Sequence, residues 1–506
     1  MKKWLASFLV FAIVATIFAG CNKAEPPVEN PEDFSGTKIV LSDSGVTVDG
    51  VAASSGDSAV YVANDIVYYE EGHDFTYGEG TKEEAHSAAE AAAHTVVHIT
   101  EPGQYVLSGK LSRGQIAVDL GEDAEDDPNA VVTLVLCGVD ITCEVAPAII
   151  FYSVYECGDK DQASATVDTT KAGANILLAD GQENTANGSY VARIYKPGTV
   201  ELSEDGTEVL DAKKLHKYDG AVYSKMSMNV HGSTAGTGVL NIHAENEGLD
   251  SELHLTINGG NINITSGNDG INTNEDGVSV TTINGGNLHI LVNGTTGEGD
   301  GIDSNGWLVI NGGTVIAEAC ATSGDAGIDS DMGIHINGGT VIATGNMLDR
   351  ISNSKQNYAV FQFAQPAASD TYTLKNSDGE VIAQQKITNR FQYLIISTGN
   401  MSAGDYTLWQ GASKLQGAVS DQMGGPGGMP GGQTPPDGME MPDGMEPPAG
   451  GQQPPEPPTG GQQPPDGMGQ PGQQPGGQFP NNAGTLSDTF PIQDRGSYFV
   501  SVQKVA

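Results

Sequence analysis

Four segments of this chain open alike: Gly248-Leu249-Asp250-Ser251, Gly270-Ile271-Asn272-Thr273, Gly301-Ile302-Asp303-Ser304 and Gly327-Ile328-Asp329-Ser330. Each is followed by a strand-like run ending in Ile257-Asn258-Gly259-Gly260, Ile283-Asn284-Gly285-Gly286, Ile310-Asn311-Gly312-Gly313 or Ile336-Asn337-Gly338-Gly339. A second alternating run then follows, such as Asn261-Ile262-Asn263-Ile264-Thr265. The repeats start 22, 31 and 26 residues apart, a spacing that suits one coil of a stacked β structure with loops of variable length. Within each run apolar and polar residues alternate, so one face is apolar. One coil cannot bury such a face alone, whereas stacked coils share a continuous core.

The repeat therefore predicts an all-β chain, a right-handed parallel β-helix. The Asn-Gly-Gly corners supply residues that tolerate positive φ. The recurring Asn258, Asn284, Asn311 and Asn337 should form a structural ladder of amides along the stack. Gly220 to Glu247 is a degenerate earlier coil, with His231-Gly232-Ser233 in place of Asn-Gly-Gly. Weaker strand signals at Val131 to Cys137, Ile141 to Cys143, Ile149 to Tyr152 and Asn175 to Gly181 extend the helix over residues 38–350. Residues 351–419 lose the period and show hairpin alternation, with a tight turn at Ser377-Asp378-Gly379, as expected of a β cap over an open sheet end. Tyr358, Tyr393, Tyr406 and Trp409 are assigned to the cap's core. Residues 420–484 are rich in Gly, Pro, Gln and Met and should be a disordered insertion. Residues 485–506 regain strand character and should return to the cap. Only Lys82 to His94, rich in Ala and Glu, looks helical.

Lys2 and Lys3 precede an apolar run from Trp4 to Phe18, and then come Ala19, Gly20 and Cys21. This reads as a bacterial lipoprotein signal over residues 1–20, with Cys21 lipidated and residues 21–37 as a tether. Phe18 departs from the Leu usual at that place. The chain is thus expected on the extracellular face of the bacterial membrane, held by lipid. Its formal net charge of −41 excludes the basic footprint that nucleic acid requires and favours cations as partners. Beyond Cys21 the cysteines are Cys137, Cys143, Cys157 and Cys320, with no Cys-x-x-Cys pair to suggest zinc or redox chemistry. A disulfide among the first three and buried free thiols are both compatible with that spacing.

Chemistry concentrates in the acids. Met226 to Asp349 holds 15 Asp or Glu and no Lys or Arg. Glu247, Asp269 and Asp300 each precede the opening glycine, with Asp325 displaced by one. Asp250, Asn272, Asp303 and Asp329 follow. Stacking sets these in two columns of oxygens about 4.8 Å apart. Like charges that close are costly unless a cation bridges them. Ca²⁺ suits this, since it takes six to eight oxygens in flexible geometry. Glu247, Asp250, Asp269, Asn272, Asp300, Asp303 and Asp329 are therefore the candidate ligands; the competing reading is solvated Asp-Gly turns.

These coils resemble a family of extracellular carbohydrate-binding proteins with a polysaccharide-lyase-like β-helix. The similarity runs from about residue 38 through the cap and is strongest between Gly248 and Asn346. It implies calcium-dependent binding of acidic polysaccharide such as polygalacturonate, or of cellulose-like glucan. The implied calcium sites transfer only to the matching Asp-Gly corners, and Asp325-Ala326-Gly327 departs from the pattern. A calcium-dependent lyase would need a base within reach of the sugar proton, and the acid-rich stretch leaves only Lys225, Arg350 or residues elsewhere. A polygalacturonase would need a basic substrate motif beside its acids, and no Gly-His-Gly or Arg-x-Lys is present. Non-catalytic binding of polysaccharide is thus the expectation, with a structural adhesin or spacer as an alternative. Trp307 aligns with His254 on the outward-facing parity of its strand, and the two are the candidate sugar contacts, since Trp stacks on pyranose rings.

Overall fold

The computed structural model describes residues 27–56, 58–213, 217–420 and 485–505. The predicted signal, Cys21 and residues 421–484 of the low-complexity segment lie outside the described residues. The described chain is nearly all β. The repeats that open at Gly248 and Gly270 lay down three strands each, in the first of them Glu247–Ser251, His254–Ile257 and Asn261–Ser266, and those that open at Gly301 and Gly327 lay down two. Each pairs in parallel with its equivalent in the coils before and after, so three stacks form.

The first stack runs through Thr95–Ile99, Gly114–Asp119, Ile149–Ser153, Gly220–Ser224, Glu247–Ser251 and Ile271–Thr273. The second starts at Thr37–Leu41 and continues unbroken in its parallel pairing to Gly333–Ile336 and Ile351–Ser354. The third runs from Glu183–Gly188 to Thr340–Gly345. The long strand Val132–Cys143 joins the second and third stacks, pairing with Ala174–Leu178 at its start and Glu183–Gly188 at its end.

Alternation decides what lies inside. Leu249 and Ile271 from the first stack, and Ile302 and Ile328 at the equivalent places of the next two repeats, share one core with Ile257, Ile283, Ile310 and Ile336 from the second. Ile264, Ile290, Ala317 and Ala343 from the third complete it. Burying each large aliphatic side chain contributes about 1.5–3 kcal/mol, repeated in every coil. At the corners, Gly286, Gly313 and Gly339 have φ of +84°, +78° and +84°. A Cβ on any of the three would stand 2.6 Å from a carbonyl oxygen of the coil below. Asn284 donates to Asn258 at 2.9 Å, Asn311 to Asn284 at 2.9 Å and Asn337 to Asn311 at 2.8 Å, so the amide ladder is continuous.

In the third stack parallel pairing stops at Thr340–Gly345, against which Phe391–Thr398 lies antiparallel. Behind it a second core gathers Phe361, Phe391, Leu408, Phe490 and Phe499. Tyr358 and Tyr406 are buried, while Trp409 is partly exposed with Lys375 5.1 Å from its ring centroid. Gly496–Lys504 pairs with both Tyr358–Ala367 and Ser413–Ser420, returning the chain's end to this sheet. The expected helix over Lys82 to His94 shrinks to the five residues Ala88–Ala92. Ser87 and Glu90 cap its start reciprocally, and the preceding residues instead form turns, with Glu84 accepting from the Thr81 amide. None of the described cysteines, Cys137, Cys143, Cys157 and Cys320, forms a disulfide. Among the described residues no helix is long and apolar enough to cross a membrane.

Candidate functional site

The opening glycines of the repeat place the acids. A Cβ on Gly270 would stand 2.2 Å from Ile290 Cγ2, and one on Gly301 2.3 Å from the Gly327 carbonyl oxygen. The chain enters each first-stack strand hard against the core, so the residue before the glycine is turned to the corner. Parallel register then carries Asp250 over Tyr223 and under Asn272, and Ile271 pairs with Ile302, which brings Asn272 under Asp303.

Two carboxylate clusters result. Asp219, Glu247 and Asp250 offer oxygens that all lie within 4.8 Å of one another, as do Asp300, Asp303 and Asp329. The first cluster is buried, with Asp250 fully enclosed, whereas the second is half-buried. Between them sit Asp269 and Asn272, the coil that completes neither cluster. Asp269 Oδ1 accepts from the Asp300 amide at 2.6 Å, and Asp300 Oδ1 accepts from the Ala326 amide at 2.5 Å. Asp325, displaced by one residue, accepts from the Gly299 amide at 2.6 Å. Ala326 occupies its place in the column.

Several oxygens in and beside these clusters lack a partner although they are buried: Glu247 Oε2 and Asp250 Oδ2 in the first, Asn272 Oδ1 and Asp349 Oδ2 beside them. A buried acceptor left unsatisfied costs about 1–3 kcal/mol, more when charged. Burial, followed by the neighbouring Asp250, Asp219 and Asp269 charges, raises the Glu247 carboxyl well above the usual range. Burial and the Asp219 charge do the same to Asp250. In the second cluster burial, then Asp269 and Asp329, pushes Asp300 up to about 9. Burial and Asp329 push Asp303 to about 6 and Asp349 to about 7. Oxygens bound at 2.3–2.6 Å on opposite sides of one Ca²⁺ stand up to about 5 Å apart. The oxygen-only donor sets, their spacing and the orphaned acceptors therefore fit a hard divalent cation.

Two participants were missed by sequence reasoning. Asp219 precedes Gly220 just as Glu247 precedes Gly248, but the degenerate coil around it hid the parallel. Lys217, upstream of the acid-rich stretch, reaches Asp219 at 2.9 Å. Its ammonium is the one cation whose ion pair reaches either cluster among the described residues. The Asp219 and Glu247 charges outweigh burial and hold it protonated.

Of the candidate sugar contacts, Trp307 is partly exposed and pairs with Val280 below it and Gly333 above. His254 lies in the same column, paired with Val280. It is only 2% exposed, however, so it is not a surface contact for glycan. The excursion after Ile149–Ser153 covers it: a Cβ on Gly158 would come within 2.8 Å of its ring, and its Nδ1 accepts from the Val280 amide at 3.1 Å. Burial lowers its pKa to about 4.

Stacked strands with carboxylates gathered at their corners define a β-rich repeat protein. The chain belongs to the family of carbohydrate-binding domain-containing proteins, whose model matches residues 93–401. A carbohydrate-binding domain-containing protein of Acetivibrio thermocellus is 30% identical over 169 residues, which are 33% of this chain and 44% of that protein. The aligned part thus spans less than half of that relative. A solved structure of a polysaccharide lyase-like protein from C. thermocellum is 21% identical and covers 63% of this chain and 93% of its own, with a TM-score of 0.35.

Proposed function

We propose that this protein binds polysaccharide without cleaving it, at the extracellular face of the membrane, through a right-handed parallel β-helix stabilised by Ca²⁺. The observation that carries the calcium reading is the pair of buried, unpartnered oxygens on Glu247 and Asp250 beside Asp219. An ion there would be structural, because the cluster is enclosed. An ion at Asp300, Asp303 and Asp329 would keep coordination positions open, which a uronate carboxylate of an acidic glycan such as polygalacturonate can fill. Partly exposed Trp307, four residues after Asp303, adds an apolar face for a sugar ring. Residues 1–20 and Cys21 would supply the lipid anchor.

Retention on immobilised polygalacturonate should be lost in EDTA, restored by Ca²⁺, and weakened by Asp303→Asn. A purified protein that retains no acidic glycan with calcium present overturns the reading and leaves a spacer or adhesin role. Palmitate labelling should disappear in Cys21→Ser. The lyase alternative is favoured by one observation, the proximity of Lys217 to the first cluster. That ammonium is committed to Asp219, whereas abstraction of a sugar proton needs a free amine within reach of it. Release of unsaturated, ultraviolet-absorbing product would establish the lyase instead.

A further inference from the structure

Away from both clusters, two excursions from the stacks meet. Gly78 and Ile194 form an antiparallel bridge, the Tyr195 amide donates to the Tyr77 carbonyl at 2.8 Å, and the Glu79 amide donates to the Arg193 carbonyl at 2.8 Å. The contact is close: a Cβ on Gly78 would stand 2.3 Å from the Arg193 carbonyl oxygen. Behind this zipper Tyr77 is held between Tyr69, at 5.0 Å between ring centroids, and His73, stacked at 4.0 Å and 14°.

The junction lines an open surface pocket of about 640 Å³, bordered among others by His73, Asp74, Thr76, Tyr77, Tyr195 and Leu202. Its size falls in the range of small-ligand sites, about 300–1,000 Å³. The lining combines aromatic and aliphatic surface with hydroxyl, imidazole and carboxylate groups. Leu202, 42% exposed, carries the apolar surface out to the rim. Asp74 is the one carboxylate, and none of the described lining residues is Lys or Arg. Asp74 Oδ1 takes the Thr76 amide at 3.0 Å and the Thr76 hydroxyl at 2.6 Å. Those donors, the Thr76 hydroxyl first, hold the carboxyl below its usual range. An anionic ligand would meet the fixed negative charge of Asp74 with no lysine or arginine among the described lining residues, in a chain of net charge −41. A neutral sugar meets acceptors for its hydroxyls and, in partly exposed Tyr195, a ring for its C–H face.

We propose that this pocket is a calcium-independent subsite for a neutral hexose oligosaccharide. The inference rests on the reading of the chain as a glycan binder, but on neither carboxylate cluster. Residues 72–77 of the pocket's lining lie outside the segment the family model matches, whereas Ile194 to Leu202 lie inside it.

Titration calorimetry of the full chain in EDTA, with cellohexaose, mannohexaose and laminarihexaose in turn, tests it. At least one should bind. Tyr195→Ala, which removes a lining ring, and Val200→Trp, which fills the pocket, should each weaken that binding at least tenfold. Both should leave calcium-dependent retention on polygalacturonate unchanged, and a melting curve by circular dichroism checks that each is folded. Failure of all three sugars to bind, binding indifferent to both variants, or displacement of the sugar by tetramethylammonium, which would mark a cation site, each overturns the proposal. Hexasaccharide binding without polygalacturonate retention sinks the calcium reading alone, and the converse sinks this subsite alone.

Discussion

Raising the pH of the calcium-free protein from 7 to 8 should destabilise it, with Asp300 as one cause beside the more deeply buried Glu247 and Asp250. The folded pKa of Asp300 is about 9 against 3.8 for the free side chain, because burial and the Asp269 and Asp329 charges oppose ionisation. Across that window the folded state holds a proton that the unfolded state has lost. The stability contributed by this group is complete below pH 3.8 and drains away as pH climbs toward 9. One such proton costs about 1.4 kcal/mol per pH unit. Asp269 and Asp349, each folded at about 7, are half-titrated at the start of the window and each add only a fraction of this. His254, lowered to about 4, stays neutral when folded and acts almost entirely below pH 7. Bound calcium would hold the carboxylates ionised and flatten the slope. The assay is urea unfolding at pH 7, 7.5 and 8, in EDTA and in Ca²⁺, for the wild type and Asp300→Asn. The amide keeps an acceptor for the Ala326 amide while removing the titration. The reasoning is refuted if the wild type in EDTA shows the same slope as Asp300→Asn, or gains stability across the window.

Other substitutions probe the scaffold. Asn311→Ala breaks two rungs of the amide ladder and Asn337→Ala one, so the first should cost about 1–2 kcal/mol and the second about half that by urea melts. Equal losses would mean that the ladder bonds are not the source. Gly313→Ala, at φ +78° and facing the Gly286 carbonyl, should lower the melting temperature, whereas Gly324→Ala, with nothing within 4 Å, should not. Fully buried Glu318 accepts from the Thr388 and Asn389 amides at 2.7 and 2.8 Å. Glu318→Ala strands both donors, which should cost about 2–4 kcal/mol and sensitise the region around residue 388 to limited proteolysis. An unchanged cleavage pattern would argue that this contact does not hold the cap.

What could be read from the residues in order is whatever recurs. Ile-Asn-Gly-Gly returns at each corner, and the geometry it needs is local: an inward isoleucine, a positive-φ glycine and an amide facing its own copy one coil away. Translation along the stack then brings like to like, so the ladder from Asn258 to Asn337 and the order of the acid columns follow from register alone. His254 was misjudged for the opposite reason. Its strand parity was readable, but its burial depends on where a non-repeating excursion around Gly158 comes to rest.

The acids divide along the same line. Sequence by itself determined that Glu247, Asp250, Asp300, Asp303 and Asp329 would crowd together, because parallel register forces identical coil positions into columns. Only the tertiary structure decided that they form two clusters rather than a continuous row. Asp269 turns one oxygen to the Asp300 amide, Ala326 fills the place Asp325 would have taken, and Asp219 with Lys217 enters from a coil that had lost the motif. The physical reason is range. Repetition transmits backbone register from coil to coil, whereas the direction of a side chain, and whether a loop covers it, depends on contacts with segments that do not repeat.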